Sequence, residues 1–234
     1  VDKAEQGALE STKRPIVLLR KRAEARFAAG LADNLPELGV MLPCTPVQHL
    51  LLHDFAEALR AQQGDSALPM LVMTSGNLHN EPIVTDDDQA LVKFAGIADA
   101  VLGNNRRILS RYDDSVLRVV RVGDEQAIQF VRRARGFAPL PIALDCPEAQ
   151  SKQETLLATG SEQKATFTLV RAAAADDQRP DAFVSQHIGD VENAETYDAW
   201  LEAEERYRQL FQETPRHLAC DAHPEYLASK WARE

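Results

Sequence analysis

Long apolar runs are missing from this chain. Stretches such as Pro69-Met70-Leu71-Val72-Met73 extend only a few residues, whereas a membrane-spanning helix needs about 20, so no bilayer-spanning segment is expected. Cysteine is scarce. Cys44, Cys146 and Cys220 are odd in number and widely separated, with no Cys-x-x-Cys pair, which argues against a disulfide framework or a zinc ribbon. Positive charge is in deficit: 26 Lys and Arg face 36 Asp and Glu, for a net charge of −10. A general nucleic-acid coat is disfavoured, although local basic patches remain open. Val1 to Gln6 lack the apolar stretch of a secretory signal. The chain does not begin with Met, and we expect it to be part of a longer protein.

What is present is the composition of a folded globular protein, 234 residues with 44% hydrophobic and 26% charged side chains. Ile16-Val17-Leu18-Leu19 predicts a buried strand, and the stretch to Pro36 a loop. Thr45, Pro46 and Gln48 form a helix start with a capping box. Val47, Leu50, Leu51, Phe55 and Leu59 then make one apolar stripe, and Gly64 follows. Met70 to Met73 predicts a buried strand running into Thr74-Ser75-Gly76-Asn77. A helix is expected from Thr85, with Asp86, Asp87 and Asp88 at its positive end and Gly96 beyond it. Ala98–Leu102, Ser115–Val120 and Ala127–Val131 are strand candidates. This alternation predicts an α/β domain.

Prolines 139, 141 and 147 then mark a linker. Beyond it, Leu156–Ala158, a Gly160 turn and Ala165–Val170 read as a hairpin, with Ala182–Val184 as a third strand. A helix over 196–211 places Tyr197, Trp200, Leu201, Tyr207, Leu210 and Phe211 near one face. His217–Cys220 is another strand, and Asp221-Ala222-His223-Pro224 opens a last helix. The expected division is 1–145, a linker over 146–154, and 155–234.

Several groups can carry chemistry. Ser75 and Asn77 offer neutral hydrogen-bonding groups after an expected strand, where open α/β sheets tend to bind ligands; a plain polar turn is the other reading. Arg132-Arg133-Ala134-Arg135-Gly136 concentrates guanidiniums suited to phosphate, or protects a sheet edge. In a regular strand Arg133 and Arg135 would share a face. Ser75, Asn77 and Arg133 are expected to face a common cavity at strand ends. Asp113 and Asp114 can hold Mg²⁺ beside a nucleotide or form a solvated turn; Asp114 and Ser115 stay open. His187 beside Asp190, His223 beside Asp221, and the pair His49 and His53 lack the spacing of a metal or hydrolase motif.

Taken in order, these motifs resemble one family. Gly39-Val40-Met41-Leu42-Pro43, Thr45-Pro46, His49-Leu50-Leu51, Leu71-Val72-Met73-Thr74-Ser75-Gly76-Asn77, Asp113-Asp114-Ser115-Val116 and Arg132–Pro139 resemble the YrdC-like domain of HypF-type hydrogenase-maturation carbamoyltransferases. Ser185-Gln186-His187-Ile188-Gly189-Asp190 and His223-Pro224-Glu225-Tyr226 resemble the start of that family's last domain, which is similar to the tRNA threonylcarbamoyl transferase.

The resemblance implies a mixed α/β fold: part of a YrdC-like domain, then the beginning of an actin-like (ASKHA-type) domain. It implies a cytoplasmic enzyme that uses carbamoyl phosphate and ATP, with Mg, to form a carbamoyl adenylate. The carbamoyl group then passes to the C-terminal Cys of a HypE-like partner for cyanide-ligand synthesis in [NiFe]-hydrogenase. Ser75, Asn77, Ser115, Arg133 and Arg135 would bind the nucleotide; no catalytic residue is assigned. His79 and Asn80 depart from the family's Ser-Gly, and Ala165 from its Asn. The family's zinc finger, its transferase-domain metal ligands and the first half of its YrdC-like domain are not matched, so the chain alone is expected to be inactive. A threonylcarbamoyl-AMP synthase and a non-catalytic nucleotide- or RNA-binding module are the alternatives, RNA being disfavoured by the net charge.

Overall fold

Asp2 opens the first element. Its carboxylate accepts the Glu5 N–H at 2.8 Å while the Glu5 carboxylate accepts the Asp2 N–H at 2.8 Å. This capping box starts α1 (Lys3–Glu10). Four strands follow as a mixed sheet: β1 (Ile16–Arg20), β2 (Glu37–Val40), β3 (Val116–Val122) and β4 (Glu125–Arg132), in the order β2-β1-β3-β4. β1 runs antiparallel to β2 and parallel to β3, with Val17 opposite Leu117. β3 and β4 are joined by the tight turn Gly123-Asp124, with Val122 opposite Glu125. Gly123 has φ +63°, as the first position of a type II′ turn requires. α1 packs against β1 and β3, and Leu9, Val17, Leu117 and Ala134 are buried.

The computed structural model describes residues 1–25, 27–65, 68–79, 81–145, 154–171 and 179–234. They fall into two compact units: Val1–Thr74 with Asp114–Gly136, and Ser75–Asp113 with Phe137–Glu234. The first holds the sheet above and α2 (Pro46–Gln63). The second holds α3 (Asp87–Lys93) and a five-stranded sheet.

That second sheet has the order β5-β8-β7-β6-β9. Its strands are β5 (Ile142–Ala143), β6 (Leu156–Ala158), β7 (Thr168–Arg171), β8 (Asp181–Val184) and β9 (His217–Ala219). β6, β7 and β8 form an antiparallel meander, and β9 returns parallel to β6 after α4 (Ala194–Phe211). A short α5 (Leu227–Trp231) follows. Asn193 caps α4 by accepting the Thr196 N–H at 2.8 Å. Thr196, Ala199, Trp200, Ala203 and Tyr207 recur at helical spacing and are buried. Trp200 and Tyr207 meet Phe167 edge-on, with centroids 5.8 and 4.9 Å away. Leu157, Leu169, Phe183, Val191 and Ala228 complete the core.

Several expectations are corrected. Met70–Met73 and Ala98–Leu102 are not strands, and Met70 and Val72 are 77% and 80% exposed. An apolar run supplies side chains for a core, but a strand exists only where a neighbour completes its ladder. α1 and β2 were not anticipated. Asp86, rather than Thr85, caps α3, accepting the Gln89 N–H at 2.9 Å. β7 begins at Thr168, because Ala165 makes only an isolated bridge with Gly189. Leu210 is 61% exposed, pointing off the packed face of α4. The last helix starts at Leu227, after the turn at 221–226. α2 forms with its capping box, yet none of its residues is buried. Within the expected linker, residues 146–153 lie outside the described residues, as does Asn80.

Candidate functional site

Ser75 and Asn77 lie in one loop of the second unit. Ser75 donates its hydroxyl to Asn77 Oδ1. Asn77 Nδ2 donates to the carbonyls of Leu78 and Glu81, each at 3.0 Å. The Val84 N–H closes the loop on the Gly76 carbonyl at 2.9 Å. Lys93 of α3 pairs with Glu81. The loop is therefore shaped by its own amide and hydroxyl groups, and the Ser75 side of it is exposed. With no strand at 70–73, Ser75 does not end a strand as the sequence suggested.

Ser115, Arg133 and Arg135 belong to the first unit. Ser115 is fully buried, and its hydroxyl joins two strand ends. Oγ accepts the Ala134 N–H at 2.8 Å and donates to the Arg135 carbonyl at 2.9 Å. The Ser115 carbonyl accepts the Ile16 N–H at 2.8 Å. The Arg135 guanidinium is held by two partners. Nε and Nη2 reach Asp114 Oδ1 at 2.7 and 2.6 Å, and Nη2 donates to the Arg14 carbonyl at 3.0 Å. Asp114 is thus the partner of a guanidinium rather than half of an open carboxylate pair.

The strand is not regular here. Val116 pairs with Arg132 but Leu117 with Phe130, so Val131 is the extra residue of a bulge, which re-aims the strand end. β4 stops at Arg132, and Arg133 and Arg135 do not follow from simple alternation. Gly136 turns the chain away at φ +86°, and a Cβ there would stand 2.5 Å from the Lys13 carbonyl oxygen. This weld of Lys13–Arg14 to Arg135–Gly136 had no recognisable sequence pattern. Cys44 sits near this cluster. Burial pushes its thiol up, opposed by the Arg135 charge, and it donates to Gln48 Oε1 at 3.0 Å. A protonated, hydrogen-bonded thiol is a poor nucleophile.

In the second unit, a further loop joins β6 to β7. Gly160 has φ +72°, and a Cβ would meet the Thr166 carbonyl oxygen at 2.2 Å. Asp190 braces this loop by accepting the Lys164 N–H at 2.6 Å, and the Gly189 carbonyl accepts the Ala165 N–H at 2.8 Å. The Gly-Asp dipeptide after a strand was the available clue to that brace. His223 Nδ1 accepts the Glu225 N–H at 3.3 Å, and its ring stacks on Tyr226. Among the described residues, no three His, Cys, Asp or Glu side chains cluster as a metal site. No helix there is long and apolar enough to cross a membrane.

Comparison with known proteins places these features in a family. The Sua5/YciO/YrdC profile, described as telomere recombination, matches residues 1–134, and the HypF Kae1-like domain profile matches residues 151–234. Carbamoyltransferase HypF2 of Cupriavidus necator is 42% identical over 100% of this chain and 28% of its own length. Carbamoyltransferase HypF of Synechocystis is 38% identical over 96% of this chain and 26% of its own. The crystal structure of full-length HypF in its phosphate- and nucleotide-bound form matches with a TM-score of 0.80 and 39% identity, over 100% of this chain and 33% of that one. The chain thus spans about a quarter to a third of the length of these relatives. It belongs to the HypF family, with a Sua5/YrdC-type segment followed by a HypF Kae1-like segment.

Proposed function

We propose that this chain supplies nucleotide-binding residues and the opening of the transferase domain to a HypF-type carbamoyltransferase. ATP and carbamoyl phosphate are its substrates in this reading. Carbamoyl phosphate is first hydrolysed to carbamate and phosphate. A carbamate oxygen then attacks the α-phosphorus, pyrophosphate leaves, and the carbamoyl group of the adenylate passes to the thiol of the C-terminal Cys of a HypE-like protein with release of AMP. The proposed setting is hydrogenase maturation in the cytoplasm.

The observation that carries the reading is the similarity, across nearly all of this chain, to segments of proteins named carbamoyltransferases, with a Sua5/YrdC-type match followed by a HypF Kae1-like match. The match to a Kae1-like segment disfavours a stand-alone threonylcarbamoyl-AMP synthase. Locally, the exposure of the Ser75 side of the loop supports reading it as a ligand contact, while Asn77 holds the loop's shape. Arg133 brings positive charge for phosphate; the charge of Arg135 is already met by Asp114, so its part is to hold the strand end beside Arg133. Preorganised donors and cations stabilise charge developing at phosphorus. Ser115 acts through the backbone of Ala134 and Arg135. Mg²⁺ would enter with the triphosphate, since such ions bind largely through substrate phosphates and water.

The test uses a longer protein containing this chain. ATP–pyrophosphate exchange should depend on carbamoyl phosphate, and Arg133→Ala should lower it by about one to two factors of ten. Exchange driven instead by threonine and bicarbonate would replace this reading with the synthase.

A further inference from the structure

We propose that Glu202 and Arg206 of α4 are positioning residues for the Ser75–Asn77 loop. The proposal rests on reading that loop as a nucleotide contact. The Sua5/YrdC-type profile runs through residues 75–113, yet these residues pack in the same unit as α4. Two arginine contacts make the connection. Arg111 Nη1 pairs with Glu202 Oε2 at 2.7 Å, while Arg111 Nε donates to the Ile83 carbonyl at 3.1 Å. Arg206 Nη1 donates to Ser110 Oγ at 3.1 Å.

Positions 202 and 206 are one helical turn apart and therefore share a stripe of α4. That stripe differs from the buried one formed by Ala199, Trp200, Ala203 and Tyr207. The sheet-facing side builds the core, and the 202/206 side is left to grip the 83–111 segment. The grip reaches the loop in one step. Ile83 adjoins Val84, whose N–H closes the loop on the Gly76 carbonyl at 2.9 Å. Arg111 thus ties the loop's closing bond to the helix.

The magnitudes separate positioning from stability. Glu202 is 53% exposed and Arg111 33%, and such pairs contribute about 0–1 kcal/mol. Removing one should leave the fold standing. A planar guanidinium bonded to both a carboxylate and a carbonyl nevertheless fixes where that carbonyl stands, and binding is far more sensitive to small displacements of ligand groups than folding is.

The test uses the ¹⁵N-labelled 234-residue chain. Glu202→Ala and Arg111→Lys should move the amide resonances of Gly76, Asn77 and Val84, with Tm nearly unchanged. Glu202→Gln retains an acceptor for Arg111 and should restore them toward wild type. In a longer protein containing this chain, MgATP affinity should fall about three- to tenfold in the first two variants and recover in the third. Loop resonances unmoved by Glu202→Ala and Arg111→Lys would overturn the proposal. If that longer wild-type protein binds no MgATP, the nucleotide reading fails, and the resonances still decide whether α4 positions the loop.

Discussion

Ser115 Oγ and the backbone of Arg135 form one hydrogen-bonded clamp: the hydroxyl donates to the Arg135 carbonyl at 2.9 Å while accepting the Ala134 N–H at 2.8 Å. A side chain that reads as a ligand contact in sequence is occupied by the protein itself. Its contacts act on the strand end just before Arg135, whose carbonyl it holds.

Ser115→Ala is expected to cost about 1–3 kcal/mol, because it strips a buried N–H of its acceptor. Urea denaturation measures this directly. A variant of unchanged stability would show that the clamp is dispensable.

Gly136→Ala should be more damaging than Gly123→Ala. Both glycines have positive φ, but a Cβ at Gly123 meets nothing within 4 Å, whereas at Gly136 it meets the Lys13 carbonyl oxygen at 2.5 Å. Gly123→Ala should cost about 1–2 kcal/mol for the left-handed backbone alone. Gly136→Ala should add roughly 1–3 kcal/mol of overpacking strain. Equal losses of Tm would mean that Lys13 moves aside freely.

Glu204 makes stability depend on pH. Its side chain is 2% exposed, and burial raises its pKa above the ordinary glutamate range, with Arg208 opposing. Glu204 Oε2 accepts from Arg208 Nη2 at 2.8 Å, while Oε1 lies equally close to Nε without a hydrogen bond. A raised carboxyl pKa means that the folded state holds its proton more tightly. The associated stability is full below the unfolded-state pKa and is lost as pH rises through the folded-state value. Glu204→Gln should therefore gain on wild type as pH rises from the ordinary glutamate range to neutrality. Parallel urea midpoints across that range would sink the idea.

Arg208→Met tests the same pair from the other side. It removes the opposing charge and leaves the carboxylate with poorer partners. We expect a loss of about 1–3 kcal/mol at neutral pH, shrinking on acidification as Glu204 takes up its proton. The matching measurement is the same denaturation series, and a loss independent of pH would assign the effect to packing.

Local chemistry made some elements legible before any coordinates. The Thr45–Gln48 capping box is drawn as expected: Thr45 Oγ1 accepts the Gln48 N–H at 3.3 Å and Gln48 Oε1 accepts the Thr45 N–H at 3.2 Å. Asp2 and Glu5 carried the same pattern and would have revealed α1. Met70–Met73 has the composition of a strand but forms none, because hydrophobicity reports a tendency toward burial, not a ladder partner. Ser115 and Arg135 were legible as a pair of polar groups. Their partners, the Ala134 N–H and the Arg14 carbonyl, are backbone atoms that every sequence possesses, so their use could not be read from residue types.

Val17 pairs with Leu117 across the parallel β1–β3 ladder, a contact between residues on the order of a hundred positions apart, and such contacts form slowly. During synthesis β1 leaves the ribosome long before β3 exists. At roughly 5–20 residues per second, the strand waits about 5–20 seconds for that neighbour. In that interval its Ile16-Val17-Leu18-Leu19 run is an apolar segment available to chaperones or to another nascent chain.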